Sequence, residues 1–542
     1  MNLAFLRKSI RAFGLAALCI SIAACGGRER EVDAAAKNGI LLIGNGSEPK
    51  SLDPHLVTGV PENKLIQSLI EGLIAYHPTD DLIPEPGMAE SWESDPEFKV
   101  WTFKLRDAKW TNGDAVKASD FVYSWERMLS PALGSEYAEM LYVLRNAEEF
   151  HQGRLKDFSQ VGVKALNDRT LEVTLGGSTP YFLSMLKHYS FYPVNPRAVE
   201  QFGGMTDRNS RWSTIENYVG NGAFKLKQWT TNQIIKVEKN PAYWDASRVK
   251  LNEIHFFPID NVKSEETAFL GGRLHLTSTV APDKIPVFKK RNPDELKIEP
   301  YLGNYFFRIN VTRKPFNDQR VRQALNLAID RQLIVDRVSQ GGQEPATGFV
   351  PGGMASYAPM TALKFDPARA RQLLADAGYP GGKGFPKKEI LINTSESHRK
   401  IAEAIQAMWR ENLGIDVGIY NQEWKVYLDS QTKLDYDLSR AGWIADYAYP
   451  MTFLEIFTTG NGNNDTGWSN PRYDALIRQA QSAASEADRV RLMREAETIL
   501  LTELPIMPIY FYTRVYLKDP RVKGWNPTAT DNHPYKYVSI AG

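Results

Sequence analysis

Helix and strand patterns alternate along almost the whole chain, and this alternation restricts the fold more than any other feature. The stretch FDPARARQLLADAG (residues 365–378) predicts a helix, because Asp366 is placed to cap its start and Gly378 to end it. Apolar residues then recur on one helical face over residues 398–414, and residues 415–421 follow as a predicted strand. Helix-then-strand units of this kind favour an α/β fold with buried sheets.

Further elements follow the same mixed pattern. Residues 98–105 and 169–175 alternate apolar with polar side chains and are predicted as half-buried strands. Two helices are predicted over residues 470–484 and 487–501, before an extended segment at 503–512. The 542 residues are enough for several domains, yet the sequence contains no repeat, no low-complexity tract and no conspicuous linker. We therefore expect domains that interleave along the chain.

Charge and composition restrict the classes of partner. Lys and Arg number 65 against 64 Asp and Glu, which gives a formal net charge of +1. A nucleic-acid-binding protein would be expected to show a basic patch or stripe, so neither DNA nor RNA is predicted as a partner. Hydrophobic residues make up 43% and charged residues 24% of the chain, a balance typical of a packed globular protein.

The N-terminal segment predicts export and lipid anchoring. Residues 1–11 carry Arg7, Lys8 and Arg11 without an acid, and about 13 apolar residues follow, too few for a membrane span. The run Ile-Ala-Ala-Cys-Gly ending at residue 26 resembles the lipobox of bacterial lipoproteins, in which the cysteine is lipidated. This implies a signal peptide at residues 1–24, lipidation at Cys25 and an anchor with tether at residues 25–38. An ordinary signal peptide is the alternative.

The common catalytic signatures are not found. The sequence has no H-E-x-x-H, G-x-S-x-G or Walker A motif, and no G-x-G-x-x-G after a predicted strand. Its eight His residues include no pair at i, i+4, and its two Cys lie near the N-terminus, so no metal site is indicated. We expect no enzymatic activity and no cofactor, with an unrecognised hydrolase as the alternative.

Three stretches carry a family resemblance, supported by shorter matches between them. They are GSEPKSLDPH from residue 46, GMAESWESDPEFKVWTFKLRDAKWTNGDAVKASDFVYSWER from residue 87, and NQEWKVYLDSQTKLDYDLSRAGWIADYAYP from residue 421. Together they resemble the oligopeptide-binding proteins of bacterial peptide ABC importers, over about residues 41–537. The resemblance implies a type 2 periplasmic-binding fold, with two lobes around a ligand cleft and an additional inserted domain.

The same resemblance implies a division into domains. Domain I would comprise residues 33–71, 197–302 and 514–542, domain II residues 72–196, and domain III residues 303–513. Lobes joined by a few extended crossovers can open and close around a ligand.

The resemblance also assigns charges that bind the peptide termini. Asp446, in RAGW-x-ADY, matches the residue that holds the ligand ammonium, although an internal salt bridge with Arg440 is the alternative. Arg440 and His398 match cations that hold the carboxylate, and an exposed position near a helix start is the alternative for His398. Two other family cations are replaced here by Ser339 and Gln431, which is expected to shift the accepted peptide lengths.

Further positions match residues around the ligand. Trp424, Trp443 and Tyr137 match aromatic residues near ligand side chains, for which core packing is the alternative. Thr58 replaces a family acid, and Val60 of the same segment is included among the predicted peptide-binding residues. Gly303 and Ile444 occupy positions where some relatives carry a bridging Cys pair.

The resemblance predicts an extracytoplasmic lipoprotein of the cell envelope that captures oligopeptides and passes them to the permease subunits of an ABC importer. We expect a monomer that meets the membrane only through its lipid anchor. The alternatives are a murein-peptide or dipeptide-binding protein of the same family, or a peptide-sensing receptor without a permease.

Overall fold

The computed structural model describes residues 29–354, 357–360 and 362–542. The predicted signal peptide and Cys25 lie outside the described residues. The strands, numbered in chain order, are β1 (Ile40–Gly44), β2 (Ile74–Tyr76), β3 (Pro84–Pro86), β4 (Ala89–Ser94), β5 (Val100–Leu105), β6 (Val163–Asn167), β7 (Thr170–Thr174), β8 (Phe224–Thr230), β9 (Ile234–Lys239), β10 (Glu253–Phe257), β11 (Leu296–Ile309), β12 (Glu344–Pro345), β13 (Lys388–Asn393), β14 (Val417–Gln422), β15 (Leu438–Ile444), β16 (Ile506–Leu517), β17 (Val522–Lys523) and β18 (Ser539–Ile540).

The α-helices are numbered in the same way. They are α1 (Glu31–Lys37), α2 (Val60–Leu69), α3 (Ala118–Leu129), α4 (Ala147–His151), α5 (Phe182–Met185), α6 (Pro196–Gln201), α7 (Val262–Leu270), α8 (Ile285–Arg291), α9 (Gln319–Leu327), α10 (Arg331–Leu333), α11 (Pro367–Asp376), α12 (Glu396–Leu413), α13 (Trp424–Thr432), α14 (Met451–Leu454), α15 (Pro471–Ser482) and α16 (Glu486–Glu503). Short 3₁₀ turns include Ala138–Val143 and Tyr189–Phe191, and a π-helical turn spans Ile334–Ser339.

Three larger sheets organise the chain. The first has the order β1-β10-β9-β8, with β1 parallel to β10, and the second has the antiparallel order β4-β5-β7-β6. The third is mixed, with the order β12-β16-β11-β15-β13-β14. Helices cover these sheets: α12, for example, buries Ile401, Ile405 and Trp409 in one apolar core with Ile390 and Ile392 of β13. This mixed architecture confirms the predicted α/β class.

Two long strands join the first and third of these units. β11 and β16 pair with each other along most of their length, but the register is interrupted between Pro300 and Asn304. Before the interruption, Leu296 packs with residues of α1, α7 and α8; after it, Tyr305 and Phe307 pack in the core of the six-stranded sheet. A bulge bends a strand and disrupts its ladder, so this interruption separates two apolar cores along the same pair of strands.

Most local predictions agree with the structure. The strands predicted at 98–105 and 169–175 correspond to β5 and β7, and Asp366 caps α11 by accepting a hydrogen bond from Arg369 N. No helix among the described residues is long and apolar enough to cross a membrane.

The predicted tether is wrong for its second half. Residues Glu31–Lys37 form helix α1, which buries Val32, Ala35 and Ala36. Val32 N donates to Gly272 O at 2.9 Å, so the helix is attached to the segment after α7 by hydrogen bonding as well as packing. Burial of an apolar face, even one made largely of alanines, favours packing over a free tether.

Candidate functional site

A cavity of about 360 Å³ is lined by residues from widely separated segments of the chain. Its walls come from α2 and the loop before it, from the chain around residues 137 and 188, from α13 and β15, and from residues 512–535. Segments of all three predicted domains therefore meet at this cavity. Among the predicted site residues, those that line it are Thr58, Val60, Tyr137, Trp424, Arg440, Trp443 and Asp446.

Asp446 lies just beyond the end of β15, and its carboxylate is 9% exposed. Tyr137 Oη donates to Oδ1 at 3.1 Å, and Thr452 Oγ1 donates to Oδ2 at 3.3 Å. Burial raises the pKa of this carboxyl group to about 7, with the Tyr137 and Thr452 hydrogen bonds acting in the opposite direction. The carboxylate is thus oriented by neutral donors and destabilised by its own burial.

His188 is the nearest basic side chain to Asp446, with 3.4 Å between Nε2 and Oδ1. Burial lowers its pKa to about 3, so the imidazole is neutral at neutral pH. The backbone N–H of Ser190 is 3.3 Å from His188 Nδ1, which must therefore accept, leaving Nε2 protonated and directed at Asp446. Within the described part of the chain, Asp446 has no cationic partner.

Arg440 does not form the salt bridge considered as the alternative role of Asp446. Its Nη2 donates to Tyr512 Oη at 2.6 Å, and its Nη1 donates to Asn393 Oδ1 at 3.3 Å. The guanidinium also lies 4.8 Å from the ring centroid of Tyr305. No carboxylate of a described residue is within ion-pair distance of Arg440, which remains charged because arginine does not deprotonate in proteins. The cavity wall therefore presents a cation and an anion that do not pair with each other.

His398 does not line the cavity. It occupies the first turn of α12, and its ring centroid is 5.5 Å from that of Tyr305. Burial, followed by the charge of Arg440, lowers the pKa of His398 well below its usual value. The neutral imidazole is poorly suited to bind a carboxylate as a cation, so this arrangement does not support the predicted role. The alternative of an exposed histidine also differs from the partly buried ring.

The predicted aromatic residues form part of the cavity wall. Tyr137 lies 6.1 Å from Trp443 between ring centroids, and Trp424 stacks on Tyr427 at 5.6 Å. The indole Nε1 of Trp443 is buried and finds no hydrogen-bond acceptor among the described residues. Core packing alone would leave this donor unsatisfied, whereas a carbonyl group in the cavity could accept its hydrogen bond.

The two positions where family cations are replaced lie in different surroundings. Ser339 is buried at the end of the π-helical turn and does not line the cavity. Gln431 does line it, but its Nε2 lies within 3.0 Å of Tyr427 Oη, Ser439 Oγ and Arg440 O. Gln431 therefore contacts the backbone carbonyl of Arg440 and not its guanidinium.

The positions of the family Cys pair face each other across two strands. Gly303 of β11 is opposite Ile444 of β15 in the register of the six-stranded sheet. The Ile444 side chain fills the space beside the glycine, where an added Cβ would lie 2.5 Å from Ile444 Cδ1. Apolar contact and strand pairing hold these strands together here.

Among the described residues, no strand pairs with one edge of β15 beside the cavity. β13 pairs with β15 only at Leu438 and Ser439, and the following residues 440–446 line the cavity. An unpaired strand edge can accept another extended chain through backbone hydrogen bonds.

Sequence reasoning missed several charged or polar groups of the site. His188 and Thr452 contact Asp446, Lys64 lines the cavity from α2, and two ion pairs contribute to the wall, Arg308 with Asp465 and Arg514 with Asp531. No local motif marks these residues, because each is brought to the cavity by a separate segment. Only charge and hydrophobicity at single positions could have drawn attention to them.

Comparisons with known proteins agree with this architecture. The family model described as bacterial extracellular solute-binding proteins, family 5 Middle, matches residues 84–465. The periplasmic oligopeptide-binding protein OppA of Salmonella typhimurium is 38% identical over 532 residues, covering 96% of each chain.

Solved structures give the same result. The crystal structure of Haemophilus influenzae OppA in complex with RPPGFSPFR has a TM-score of 0.88 and 36% identity, covering 93% of this chain and 99% of that one. The murein tripeptide-binding protein MppA, in its unliganded open form, is 35% identical over 93% of this chain and 98% of its own, but its TM-score is 0.62. The relative placement of the lobes is therefore closer to that of the peptide complex than to that of the open form. With this extent of similarity in sequence, fold and cavity position, the chain belongs to family 5 of the bacterial extracellular solute-binding proteins.

Proposed function

We propose that this chain captures oligopeptides in the cavity between its lobes and delivers them to the permease of an ABC importer. The observation that carries the proposal is the pair of unmatched charges on the cavity wall. Asp446 has no cationic partner and Arg440 no anionic partner among the described residues. A peptide carries an ammonium group and a carboxylate at its two ends and can neutralise both.

The unpaired edge of β15 supports the same ligand class. Peptide backbone groups can add to this edge as an extra strand, a mode of binding that does not depend on ligand sequence. The buried Trp443 Nε1 offers one further donor to a ligand carbonyl. Side chains of the ligand would then meet aromatic walls, which bury varied groups without requiring one hydrogen-bond pattern.

Closure of the lobes supports capture rather than surface binding. β11 and β16 join two units with separate cores, and their register break lies beside the cavity-lining residues Tyr301 and Tyr512. Rotation about this break would expose the cavity to solvent, and closure would bury the ligand. We propose the interleaved domains I, II and III with the boundaries predicted from the sequence.

Murein peptides are a second candidate ligand, because the chain is also similar to MppA and such peptides share a peptide terminus. Mass spectrometry of ligands released from the purified, denatured protein distinguishes the two. Linear peptides of varied sequence support the main proposal, whereas murein fragments support the second. Recovery of neither, together with no binding of synthetic peptides in calorimetry, would contradict both.

Delivery and anchoring require separate tests. We propose that Cys25 carries the lipid anchor of a monomer at the cell envelope. A Cys25→Ser variant should be found in the soluble fraction, and intact-mass analysis of the native protein should show the added acyl chains. For the importer, peptide-loaded protein should stimulate ATP hydrolysis by the reconstituted cognate permease, and ligand-stripped protein should do so less.

A further inference from the structure

The charged side chains that line the cavity are not all used by the two peptide termini. Arg308 pairs with Asp465, and Arg514 Nε pairs with Asp531 Oδ2 at 2.7 Å. Glu136 lies 3.9 Å from Lys50 Nζ. The unmatched lysine, arginine, aspartate and glutamate side chains on the described wall are Asp446, Arg440 and Lys64. A peptide with one ammonium and one carboxylate would neutralise one anion and one cation of the wall, and one cation would remain without a partner.

That cation is Lys64, on α2. Its ammonium forms no hydrogen bond and no ion pair with any described residue. Asp531, one of the two acids whose charges influence Lys64, is paired with Arg514. The other, Glu265, accepts hydrogen bonds from the Ser278 N–H at 2.8 Å and the Ser278 hydroxyl at 2.7 Å, and it acts on Lys64 only from beyond ion-pair distance. No acid of the described residues is therefore in direct contact with the Lys64 ammonium.

We propose that Lys64 binds a carboxylate on a side chain of the bound peptide, so that this chain prefers peptides with an acidic residue at one position. This inference rests on the proposed function. The ligand group would be the carboxylate of aspartate, glutamate or a comparable amino acid, held by a lysine whose ammonium forms no ion pair with a described residue.

The positions of the three charges support a side chain rather than the C-terminus. Asp446 and Arg440 are both presented by the β15 segment, whose free edge can receive the peptide backbone. Lys64 lines the same cavity from α2, a separate segment of the chain. A peptide extended along β15 between Asp446 and Arg440 would direct alternate side chains away from the strand plane, and Lys64, which lines the same cavity but is not part of β15, is available to one of them.

The protonation state of Lys64 is compatible with this role. Burial, followed by the nearby charge of Arg514, lowers its pKa to about 8. The ammonium form still predominates at pH 7, and a ligand carboxylate would stabilise it further.

The test is a positional scan by isothermal titration at pH 7. Alanine tetrapeptides and pentapeptides carry a single glutamate or glutamine at each interior position, with both termini free. We expect the glutamate peptide to bind about tenfold more tightly than its glutamine twin at one position, because charge-assisted contacts are stronger than neutral ones. In Lys64→Met this ratio should fall to near one, and Lys64→Arg should retain part of it.

Lys425 provides the matched control, since it is exposed on α13 and does not line the cavity. Lys425→Met should keep the parental ratio, and thermal unfolding should show all variants folded. The inference is overturned if glutamate and glutamine peptides bind equally at every position, or if Lys64→Met retains the ratio. It is also overturned if Lys64→Met abolishes discrimination between free and amidated C-termini instead. Failure of every peptide to bind the native protein would overturn the proposed function itself.

Discussion

Tyr137 Oη donates a hydrogen bond of 3.1 Å to Asp446 Oδ1, and this contact joins residues that lie 309 positions apart. Tyr137 belongs to the segment before the Ala138–Val143 turn, whereas Asp446 follows β15 of the six-stranded sheet. The Asp446 carboxylate therefore has its Tyr137 hydrogen bond only when these two parts of the protein are in contact. Under the proposed function, closure of the cavity would complete the site for the peptide ammonium.

Substitution of Asp446 by Asn should remove most peptide affinity. Loss of one member of a buried charge pair typically costs about 2 to 5 kcal/mol, which is well over tenfold in Kd. Titration calorimetry with a free peptide and its N-acetylated twin measures the effect. The native protein should prefer the free peptide, and Asp446→Asn should bind both with similar, low affinity.

Asp429, 45% exposed on α13 and outside the cavity wall, gives the control, because Asp429→Asn should bind like the parent. Equal binding of the two peptides by the native protein would rule out Asp446 as the ammonium partner.

Peptide affinity should show a maximum between about pH 7 and 8. Because burial raises the pKa of Asp446 to about 7, this group becomes protonated as the pH falls below 7. Binding an ammonium requires the carboxylate, so affinity should fall by up to tenfold per pH unit on the acidic side. Above about pH 8 the peptide α-amino group, with a usual pKa of about 7.7 to 8.0, loses its proton.

Titrations from pH 5 to 9 test this profile. Tyr137→Phe removes a hydrogen bond that lowers the Asp446 pKa. In this variant, peptide affinity should therefore begin to fall at a higher pH than in the native protein. A profile that stays flat from pH 5.5 to 7.5, with the same affinity in Tyr137→Phe, would contradict the argument.

Asp446 should also reduce the stability of the peptide-stripped protein at high pH. Its folded-state pKa of about 7 lies above the ordinary aspartate pKa of 3.8, so between these pH values the folded state holds a proton that the unfolded state releases. Stability contributed by the protonated group is complete below pH 4 and is lost as the pH rises through 7. Asp446→Asn should therefore gain stability relative to the native protein as the pH rises, by up to roughly 4 kcal/mol.

Urea unfolding at pH 4 and pH 8 measures this difference. We expect little difference between the two proteins at pH 4 and a higher midpoint for Asp446→Asn at pH 8. A variant that is less stable than the native protein at pH 8 would show that the ionised carboxylate is stabilised by contacts other than those to Tyr137 and Thr452.

Local signals were sufficient to predict much of the secondary structure. The cap at Asp366 and the apolar face of α12 involve residues within a few turns of one another, and both are found. The segment of α1 was not predicted, because its alanine-rich composition resembles a linker and its burial depends on contact with Gly272, far along the chain. Composition cannot show which weakly apolar face will find a partner.

The site could be predicted only in part, for the same reason. Asp446 and Arg440 lie within one stretch and were identified through the family resemblance. His188 and Lys64 come from other segments, and nothing in their local sequence shows that the fold brings them to the cavity. The burial that keeps His398 neutral likewise arises from tertiary packing around Tyr305 and Arg440.

Asp53, within the GSEPKSLDPH stretch, should be a structural rather than a ligand-binding residue. Its carboxylate is 3% exposed and pairs with Arg127 of α3, whose Nη1 lies 3.0 Å from Asp53 Oδ1. Trp212 Nε1 donates to Oδ2 at 3.0 Å. Removal of one partner from a buried ion pair costs about 3 to 5 kcal/mol, since the other charge is left uncompensated.

Asp53→Ala should therefore lower the urea midpoint strongly, while the peptide affinity of the remaining folded protein stays near that of the parent. Disruption of the exposed pair between Arg491 and Glu495 by Arg491→Ala should have little effect on the midpoint. Equal stability of the Asp53→Ala variant and the parent would contradict this structural role.

The length of the preferred peptide should depend on Arg440. This residue and Asp446 lie six positions apart, which corresponds to roughly 20 Å at most for an extended strand. If Arg440 binds the carboxylate, affinity in a series of alanine peptides from two to six residues should peak at one or two neighbouring lengths. At those lengths C-terminal amidation should weaken binding tenfold or more, because hydrogen bonds to charged groups contribute about 1.5 to 3 kcal/mol.

Arg440→Gln should flatten the length profile and remove the amidation effect, whereas Gln431→Arg, which adds a cation beside the same wall, should move the maximum to another length. A flat profile in the native protein, unchanged by either substitution, would show that the carboxylate is not bound at Arg440.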